Sequence, residues 1–377
     1  MKIALIRGAF MNQYESQIYY PLLKKNEIVG FSSQQPIQEK FPFKLVKLPS
    51  PMDANFGLFS RLKMPILNRM FVDAHWLIGL EDQIRGFDIA HCADTFYHFS
   101  HQAIVAKRKG YVKRVVATVF ENIPFNNEGI LGRKKFKSDV LKETDHFVAI
   151  AERSKAALMV EGCPEDKITV ITQHIDTKRF KPTRKNYHKK KLTILYTGRI
   201  EFYKGLYEII YAAKRLLEDH SLSSYDLEFL LVGDGTEKEK LKLLVNRLNI
   251  TNSVKFLFLP YHKMEDVYDK ADIFVAPSRA TRTYQEQFCT ALLEAQSAGL
   301  PIVTTYSGGI PENVGKNAIM ANPGDFYSIA AGIKRFVVSP KLREHYGEMA
   351  RENVVKNFDI SIGAKKLEKM YEEVLRN

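Results

Sequence analysis

The fold is decided by the stretch Leu192-Thr-Ile-Leu-Tyr-Thr-Gly-Arg-Ile-Glu-Phe-Tyr-Lys-Gly205, in which a short apolar run leads directly into a loop with two glycines and two cations. Similar apolar runs recur along the chain and alternate with amphipathic stretches, which is typical of parallel sheets with crossover helices. We expect strands at Lys2 to Ile6, Ile89 to Cys92, Arg114 to Val119, His146 to Ala149, Ile168 to Ile171, Leu192 to Tyr196, Leu227 to Val232, Val254 to Phe258, Ile273 to Ala276 and Ile302 to Thr304. The alternation predicts an α/β protein of two doubly wound units.

The length of 377 residues suits two domains better than one core. Between the two groups of strands, Phe180 to Leu192 is polar, basic and without apolar periodicity, which is typical of a hinge. We therefore predict an N-terminal domain over 1–185 and a C-terminal domain over 186–357. The segment 358–377 is predicted to be an amphipathic helix, with apolar residues at Ile360, Leu367, Met370, Tyr371 and Leu375.

Composition excludes several classes of protein. No apolar run approaches the roughly 18 residues that span a bilayer, and Met1 to Arg7 reads as a short strand rather than a signal peptide. Cys92, Cys163 and Cys289 are scattered and odd in number, so we expect reduced thiols and a cytoplasmic protein. The net charge of +13 lies largely in short basic runs. No recognisable nucleic-acid-binding module accompanies them, so we expect no nucleic acid partner.

Two carboxylates mark the candidate site, Glu286 at the mouth of a predicted apolar helix and Glu294 two turns into it, and the helix is predicted to run on through Pro301. In a helix this spacing places them roughly 12 Å apart, at about 1.5 Å per residue. That distance matches a nucleotide diphosphate sugar. Each carboxylate can accept two hydrogen bonds from a vicinal diol, and helix amides between them can hold the diphosphate. The alternative is a pair of solvated helix residues.

Two cations follow the first strand of the second unit. Ligands of doubly wound sheets bind at the carboxyl ends of the strands, where Gly198 lets the backbone turn and Arg199 and Lys204 project from one loop. Two cations in this position fit a diphosphate. The alternative interpretation is a surface Arg and Lys without a ligand.

As a set, these residues resemble glycosyltransferase family 4, whose members are retaining enzymes of the GT-B fold. The resemblance covers the second half of the chain and rests on Gly198-Arg199, Lys204-Gly205, Leu231-Val-Gly-Asp-Gly235, Ala271-Asp-Ile-Phe-Val-Ala-Pro-Ser278, Glu286 with Glu294, Gly299-Leu-Pro-Ile-Val303 and Gly308-Gly-Ile-Pro-Glu312. It implies two Rossmann-like domains facing across a cleft, with the C-terminal helix crossing back to the first domain.

The resemblance also implies roles for single residues. Arg199 and Lys204 would hold the donor diphosphate, Glu294 the ribose hydroxyls and Glu286 the hydroxyls of the transferred sugar. The amides of Phe288, Cys289 and Thr290 would meet sugar and phosphate, and the backbone near Leu259 would meet the base.

The chain departs from the family pattern at several positions. Cys289 and Phe258 stand where glycine is common. The segment Thr118 to Pro124 looks like the family's Thr-x-His segment without its His. Glu121 or Asn122 is a candidate for that place, so Glu121 is a catalytic candidate, and the alternative is that Glu121 caps a turn. His91 is a further candidate, with a structural role as its alternative.

From Asn55 to Trp76 the chain interleaves Phe56, Leu58, Phe59, Met64, Ile66, Leu67, Met70 and Phe71 with Arg61, Lys63 and Arg69. Basic amphipathic stretches can lie on anionic membranes, which would suit a lipid acceptor and a peripheral position on the cytoplasmic membrane face. The alternative is a helix of the first domain that buries an ordinary apolar face.

The function we expect is transfer of a hexose from a nucleotide diphosphate sugar to a hydroxyl of a lipid or glycan acceptor, with retention of configuration. No Asp-x-Asp pair occurs in the sequence, so we expect neither a metal nor a cofactor, the nucleotide sugar being a substrate. The alternatives are a nucleotide-sugar epimerase of the same architecture and a non-catalytic protein that binds nucleotide sugars.

Overall fold

The computed structural model describes residues 1–57, 60–183 and 186–376, and the chain forms two compact units. The first unit contains Met1–His174 and the C-terminal segment from Ile360, and the second contains Ile175–Asp359. Predictions that fall on Leu58, Phe59 and Lys185 lie outside the described residues.

The division between the units precedes the predicted boundary at residues 185 and 186. The reason is that the chain after Ile175 is bonded to the second unit. Ser297 donates a hydrogen bond to the carbonyl of Phe180 (2.5 Å), and Arg351 donates to the carbonyl of Thr177 (2.9 Å).

The first unit contains a seven-stranded parallel sheet of order β3-β2-β1-β4-β5-β6-β7. Its strands are β1 (Lys2–Ile6), β2 (Glu27–Ser32), β3 (Lys44–Lys47), β4 (Phe87–Ala93), β5 (Val112–Val119), β6 (His146–Ala149) and β7 (Ile168–Val170). The sequence pattern misses β2 and β3, because Gly30 interrupts the apolar run of β2 and both ends of β3 are lysines.

The helices of this unit connect the strands in the order expected for crossovers. They are α1 (Gln13–Ser16), α2 (Ser60–Phe71), α3 (Leu80–Gln83), α4 (His98–Arg108), α5 (Arg133–Glu143) and α6 (Glu152–Val160). Short 3₁₀ helices lie at Gly8–Phe10, Gln17–Lys24, Pro51–Asp53 and Glu165–Lys167.

The second unit contains a six-stranded parallel sheet of order β10-β9-β8-β11-β12-β13. Its strands are β8 (Lys191–Thr197), β9 (Asp226–Val232), β10 (Val254–Leu257), β11 (Ile273–Ala276), β12 (Ile302–Thr305) and β13 (Ile319–Ala321). Its helices are α7 (Leu206–Leu217), α8 (Lys238–Arg247), α9 (Met264–Lys270), α10 (Thr290–Ser297), α11 (Ile310–Val314), α12 (Phe326–Val338) and α13 (Pro340–Asn357), with 3₁₀ helices at Phe202–Lys204, His220–Leu222 and Tyr261–Lys263.

Both sheets have the doubly wound order in which the direction of winding reverses beside the first strand. The reversal lies between β1 and β4 in the first unit and between β8 and β11 in the second. Ligands of such sheets bind at the carboxyl ends of the strands next to this reversal. The α/β class predicted from the sequence is confirmed, and the loops after β1, β4, β8 and β11 become the places to look for a site.

The chain ends in helix α14 (Ile360–Arg376), which confirms the predicted amphipathic helix. Leu367, Met370 and Tyr371 are buried in one core cluster with residues of the first sheet, including Ile3 and Val116. This packing explains why the segment belongs to the first unit. Within the described part of the chain, no helix combines the length and the apolar character that crossing a membrane requires.

Candidate functional site

The loop between β8 and α7 carries the two predicted cations at the carboxyl edge of the second sheet. Gly198 has a φ of 144°, a conformation that favours glycine, and Arg199 beside it is exposed. The Arg199 guanidinium lies 5.6 Å from the ring centroid of Tyr203. Tyr203 in turn packs on Tyr284, with ring centroids 3.8 Å apart. Two tyrosines therefore stand beside Arg199 and shape the approach to the loop.

Lys204 and Glu286 form a buried ion pair. The Lys204 Nζ lies 2.6 Å from Glu286 Oε2, and their side chains are 13% and 6% exposed. Burial disfavours the charged form of both groups, but the opposite charge of the partner favours it more strongly. The pKa of Lys204 is therefore raised well above its ordinary value, and the pKa of Glu286 is lowered. The hydroxyl of Ser278 also donates to Glu286 Oε2 at 2.6 Å. Both charges are thus kept in a site that largely excludes water.

The backbone of Glu286 is fixed by two glycines of the loop after β12. The amide of Gly309 donates to the Glu286 carbonyl at 2.8 Å. Gly308 has a φ of 53°, and a Cβ at this position would lie 1.8 Å from the same carbonyl oxygen. Any larger residue at 308 would displace Glu286, so the two glycines position the carboxylate.

Glu294 lies on α10 and is held by two tyrosines. The hydroxyls of Tyr261 and Tyr268 donate to Glu294 Oε1 and Oε2 at 2.9 and 2.7 Å. Burial raises the pKa of Glu294, and the two tyrosine hydrogen bonds oppose this only in part. Since α10 begins at Thr290, Glu294 lies about one turn into the helix and not two as the spacing suggested, and Glu286 precedes the helix. Each carboxylate oxygen keeps capacity for a further donor.

The backbone between the two glutamates is left-handed at the residue that precedes α10. Cys289 is the N-cap of the helix and has φ 63° and ψ 81°, in the left-handed region that favours glycine. Asn313 donates to the carbonyls of Phe288 (2.5 Å) and Cys289 (3.2 Å), and these bonds hold the entry in place. Burial raises the pKa of the Cys289 thiol to about 12, so the thiol stays protonated. Thr290 is the first residue of the helix.

Leu259 follows β10, at the same edge of the sheet. It is half-buried, and its neighbour Phe258 is 68% exposed. The position fits the proposed contact of this segment with a base, which stays a prediction.

In the first unit, Glu121 closes a loop after β5. Its Oε1 accepts from the amides of Asn122 and Ile123, both at 3.0 Å, and its Oε2 accepts from the side chains of Asn126 and Asn127, both at 2.8 Å. These bonds correspond to the turn-capping alternative, while a catalytic role for Glu121 stays a prediction. Asn122, the other candidate, is buried.

His91 is fully buried and bridges three elements of the first unit. Its Nε2 lies 2.7 Å from the hydroxyl of Thr118, and its Nδ1 bonds to the hydroxyl of Tyr371 on α14. Burial holds the pKa of His91 well below its usual value. This arrangement corresponds to the structural alternative for His91.

Sequence reasoning missed Asp94, which directly follows β4. Its φ is 52°, and its Oδ1 accepts from the amides of Phe120 (2.8 Å) and Glu121 (3.2 Å). Burial, together with the charge of Glu121, raises the pKa of Asp94 to about 7, although the amide bonds oppose the shift. No spacing in the sequence links Asp94 to the loop after β5; only the pairing of β4 with β5 does.

The stretch from Asn55 to Trp76 contains α2, which has both a buried and an exposed apolar side. Leu67 is buried, whereas Leu62, Ile66 and Met70 are 51%, 42% and 68% exposed. A spacing of four residues places the exposed three on one helix face. We call these three residues the α2 face.

Among the described residues, no three or more His, Cys, Asp or Glu side chains are grouped so that they could hold a metal ion. Many basic residues of the charged runs have carboxylate partners, such as Lys107 with Asp145 at 2.8 Å and Lys189 with Asp272 at 2.9 Å. Metal independence stays a prediction.

Part of the chain matches a family of known proteins. Residues 177–353, nearly the whole second unit, match the family model described as glycosyl transferases, group 1. The chain also has the fold of HepE from Anabaena, crystallised in complex with UDP, with a TM-score of 0.77 over 99% of this chain and 100% of that one, at 16% identity. The chain therefore has the two-domain fold of GT-B glycosyltransferase structures, and nearly half of it matches this family model.

Two relatives illustrate the similarity in sequence. WcaL of Salmonella typhimurium, provisionally named a colanic acid biosynthesis glycosyltransferase, is 26% identical over 277 residues, which are 71% of this chain and 67% of that protein. The D-inositol 3-phosphate glycosyltransferase of Corynebacterium jeikeium is 33% identical over 187 residues, which are 48% of this chain and 43% of that protein. The similarity thus spans between 43% and 67% of the length of these two relatives.

Proposed function

We propose that this protein is a retaining hexosyltransferase that uses a nucleoside diphosphate sugar as donor and a hydroxyl compound as acceptor. The observation that carries the proposal is the buried Lys204 and Glu286 pair, which lies with Arg199 at the carboxyl edge of the second sheet. A site that holds a cation and an anion in a water-poor environment can stabilise charge as it develops during a reaction.

In this reaction the acceptor oxygen bonds to the anomeric carbon of the donor sugar, and the bond from that carbon to the diphosphate oxygen breaks. The electron pair stays with the diphosphate, which takes the acceptor proton. Arg199 and Lys204 stabilise the negative charge that develops on the leaving group, and Glu286 binds the sugar hydroxyls near the cationic centre. No protein nucleophile and no metal are needed in this scheme.

The donor side has a second part around Glu294. Because Tyr261 and Tyr268 hold its carboxylate in one orientation, the remaining acceptor capacity of Glu294 suits the vicinal diol of a ribose. HepE, which has the same fold, was crystallised with UDP. We therefore propose a uridine diphosphate sugar as the first donor to test.

The test is a nucleotide-release assay. The purified protein is incubated with a panel of nucleoside diphosphate sugars, with and without total cell lipid extract, and both released nucleotide and changed sugar are measured. A transferase releases nucleotide faster when acceptor is present. A changed nucleotide sugar without acceptor would mean an epimerase, and tight binding without release would mean a binding protein; either result refutes the proposal.

For the acceptor side we propose contact with an anionic membrane through the α2 face. Leu131, which is 95% exposed, lies in a loop close to the end of α2. The closeness is seen at Gly132, where an added Cβ would lie 2.9 Å from the side chain of Val72, the residue that follows α2. Arg69, Lys134 and Lys135 are exposed on the same two segments. Apolar residues flanked by cations suit the surface of an anionic bilayer.

Sedimentation with vesicles tests this contact. The wild type should bind vesicles that contain phosphatidylglycerol at low salt and should dissociate as salt rises, since the screening length is about 8 Å at physiological ionic strength. Serine at all three positions of the α2 face should abolish sedimentation, whereas Leu243→Ser, an equally exposed position on α8, should not. Equal binding by the triple variant and the control would refute the contact and favour a soluble acceptor.

A further inference from the structure

The segment Arg179-Phe180, near the start of the second unit, packs on the two tyrosines that hold Glu294. The guanidinium of Arg179 lies 4.3 Å from the ring centroid of Tyr261, and its Nη2 donates to the Tyr261 carbonyl at 2.7 Å. Phe180 is buried, and its ring meets the ring of Tyr268 edge to face, with centroids 5.3 Å apart. Each tyrosine that donates to Glu294 is therefore in contact with this segment.

Arg179 is itself fixed by two further contacts. Its Nε lies 2.6 Å from Glu265 Oε1, and its guanidinium lies 4.8 Å from the ring centroid of Phe180. The carbonyl of Phe180 accepts from the hydroxyl of Ser297 at 2.5 Å, and Ser297 lies on α10, the helix that carries Glu294. A planar guanidinium suits this place because it donates in its plane and stacks on its faces. The segment and the carboxylate are therefore parts of one packed assembly.

Glu294 is a buried carboxylate that lacks an ion pair. It is 5% exposed, and none of the ion pairs formed by the described residues includes it. A buried carboxylate is costly to keep charged unless other groups compensate. Burial raises the pKa of Glu294, the hydrogen bonds from Tyr268 and Tyr261 oppose the rise, and the charge of Arg179 opposes it further. Arg179 therefore supports this carboxylate by its charge as well as by its contacts with Tyr261.

We propose that Arg179 is a positioning residue that acts through Tyr261 and Glu294 to make the site selective for the ribose diol of the donor nucleotide. The inference rests on the proposed transferase function, in which Glu294 accepts from that diol. Tyr261 occupies one lone pair of the carboxylate, so the lone pairs that remain have a fixed direction, and Arg179 fixes Tyr261. The site then prefers a ribonucleoside diphosphate to its 2′-deoxy counterpart, which lacks one of the two hydroxyl donors.

The first test compares two affinities, because a residue that only supports the fold changes both alike. UDP and 2′-deoxy-UDP are titrated by calorimetry, and ADP and GDP with their 2′-deoxy forms are used if UDP does not bind. The wild type should bind the ribonucleotide about 10-fold more tightly, as expected for a hydrogen bond to a charged group. In Arg179→Ala this ratio should fall to about 3-fold or less, chiefly through weaker binding of the ribonucleotide. Arg179→Lys, which keeps the charge without the planar contacts, should give an intermediate ratio and replaces Arg179→Ala if that variant does not fold.

The second test is a double-mutant cycle that examines the path through Tyr261. Tyr261→Phe removes the hydroxyl that donates to Glu294 and should also lower the ratio of the two affinities. Residues that act through one another have effects that do not simply add in free energy. The double variant should therefore lower the ratio by less than the product of the two single effects. A full product would mean that the two residues act independently and would overturn the proposed path.

Lys178→Ala is the matched control, because it removes a positive charge from the neighbouring residue, which is exposed. It should leave the ratio at the wild-type value. If the wild type prefers the ribonucleotide and Arg179→Ala either keeps the ratio or weakens both nucleotides equally, the positioning role is refuted and the transferase function stands. A wild type that binds both forms equally would refute the ribose assignment of Glu294 and this inference with it. If the wild type binds none of the nucleotides, the proposed function itself fails.

Discussion

Replacing Glu286 by Gln removes one charge of the buried pair and leaves its shape nearly unchanged. The cation of Lys204 then keeps its burial but loses the anion 2.6 Å away. Leaving a buried charge without its partner costs about 3 to 5 kcal/mol, and the 13% exposure of the Lys204 side chain favours the lower end. For a protein of 377 residues, at about 2.1 cal/mol/K of unfolding entropy per residue, about 3 kcal/mol corresponds to a fall in Tm of roughly 4 °C.

The same substitution should separate binding from turnover. With Glu286 neutral, the diphosphate of UDP becomes the anion that Lys204 lacks, so UDP should bind at least as tightly as to the wild type. UDP should also raise the Tm of the variant more than that of the wild type. Turnover should nevertheless fall by about 100-fold, the order of magnitude of a lost electrostatic contact in the transition state.

The assays are thermal unfolding with and without UDP, calorimetry with UDP, and steady-state release from the donor that the wild type turns over. Ser278→Ala is the matched control, because it removes the hydroxyl donor at 2.6 Å but keeps the ion pair, and should cost only about 1 kcal/mol. If Glu286→Gln keeps both the Tm and the turnover of the wild type, the pair has neither role and the assignment of this site is refuted.

Four further predictions concern the second unit. Arg199→Ala or Lys204→Ala should weaken UDP binding by about 10-fold or more in calorimetry; unchanged affinity in both would refute the diphosphate site. Glu294→Gln should raise the donor Michaelis constant by about 10-fold or more and leave turnover nearly unchanged, because a ground-state contact is lost. Tyr261→Phe should raise the donor Michaelis constant less. A fall in turnover alone would contradict the ribose assignment. Transfer should survive excess chelator, and loss of activity that magnesium or manganese restores would show that a metal is needed. Cys289→Gly should raise the unfolding free energy by about 1 kcal/mol, because a left-handed backbone costs a residue with a Cβ about 1 to 2 kcal/mol. A lower Tm in this variant would show that packing of the Cys289 side chain contributes more to stability than the backbone strain costs.

The sequence by itself determined the α/β class, ten of the strands and the terminal helix. These features follow from local periodicity, since alternation of short apolar runs with amphipathic stretches depends only on neighbouring residues. The strands that the pattern missed are short or interrupted, such as β3 with its two terminal lysines. The loop with Arg199 and Lys204 could also be read from the sequence, because it directly follows a strand.

Only the tertiary structure decided which side chains meet. Lys204 and Glu286 are 82 residues apart in the chain, and Asp94 and Phe120 are 26 apart. Each pair forms because parallel strands bring the loops at their carboxyl ends to one edge of a sheet, and the order of strands is not encoded in any local period. The bonds of Tyr261 and Tyr268 to Glu294 have the same origin, because they depend on packing between distant segments.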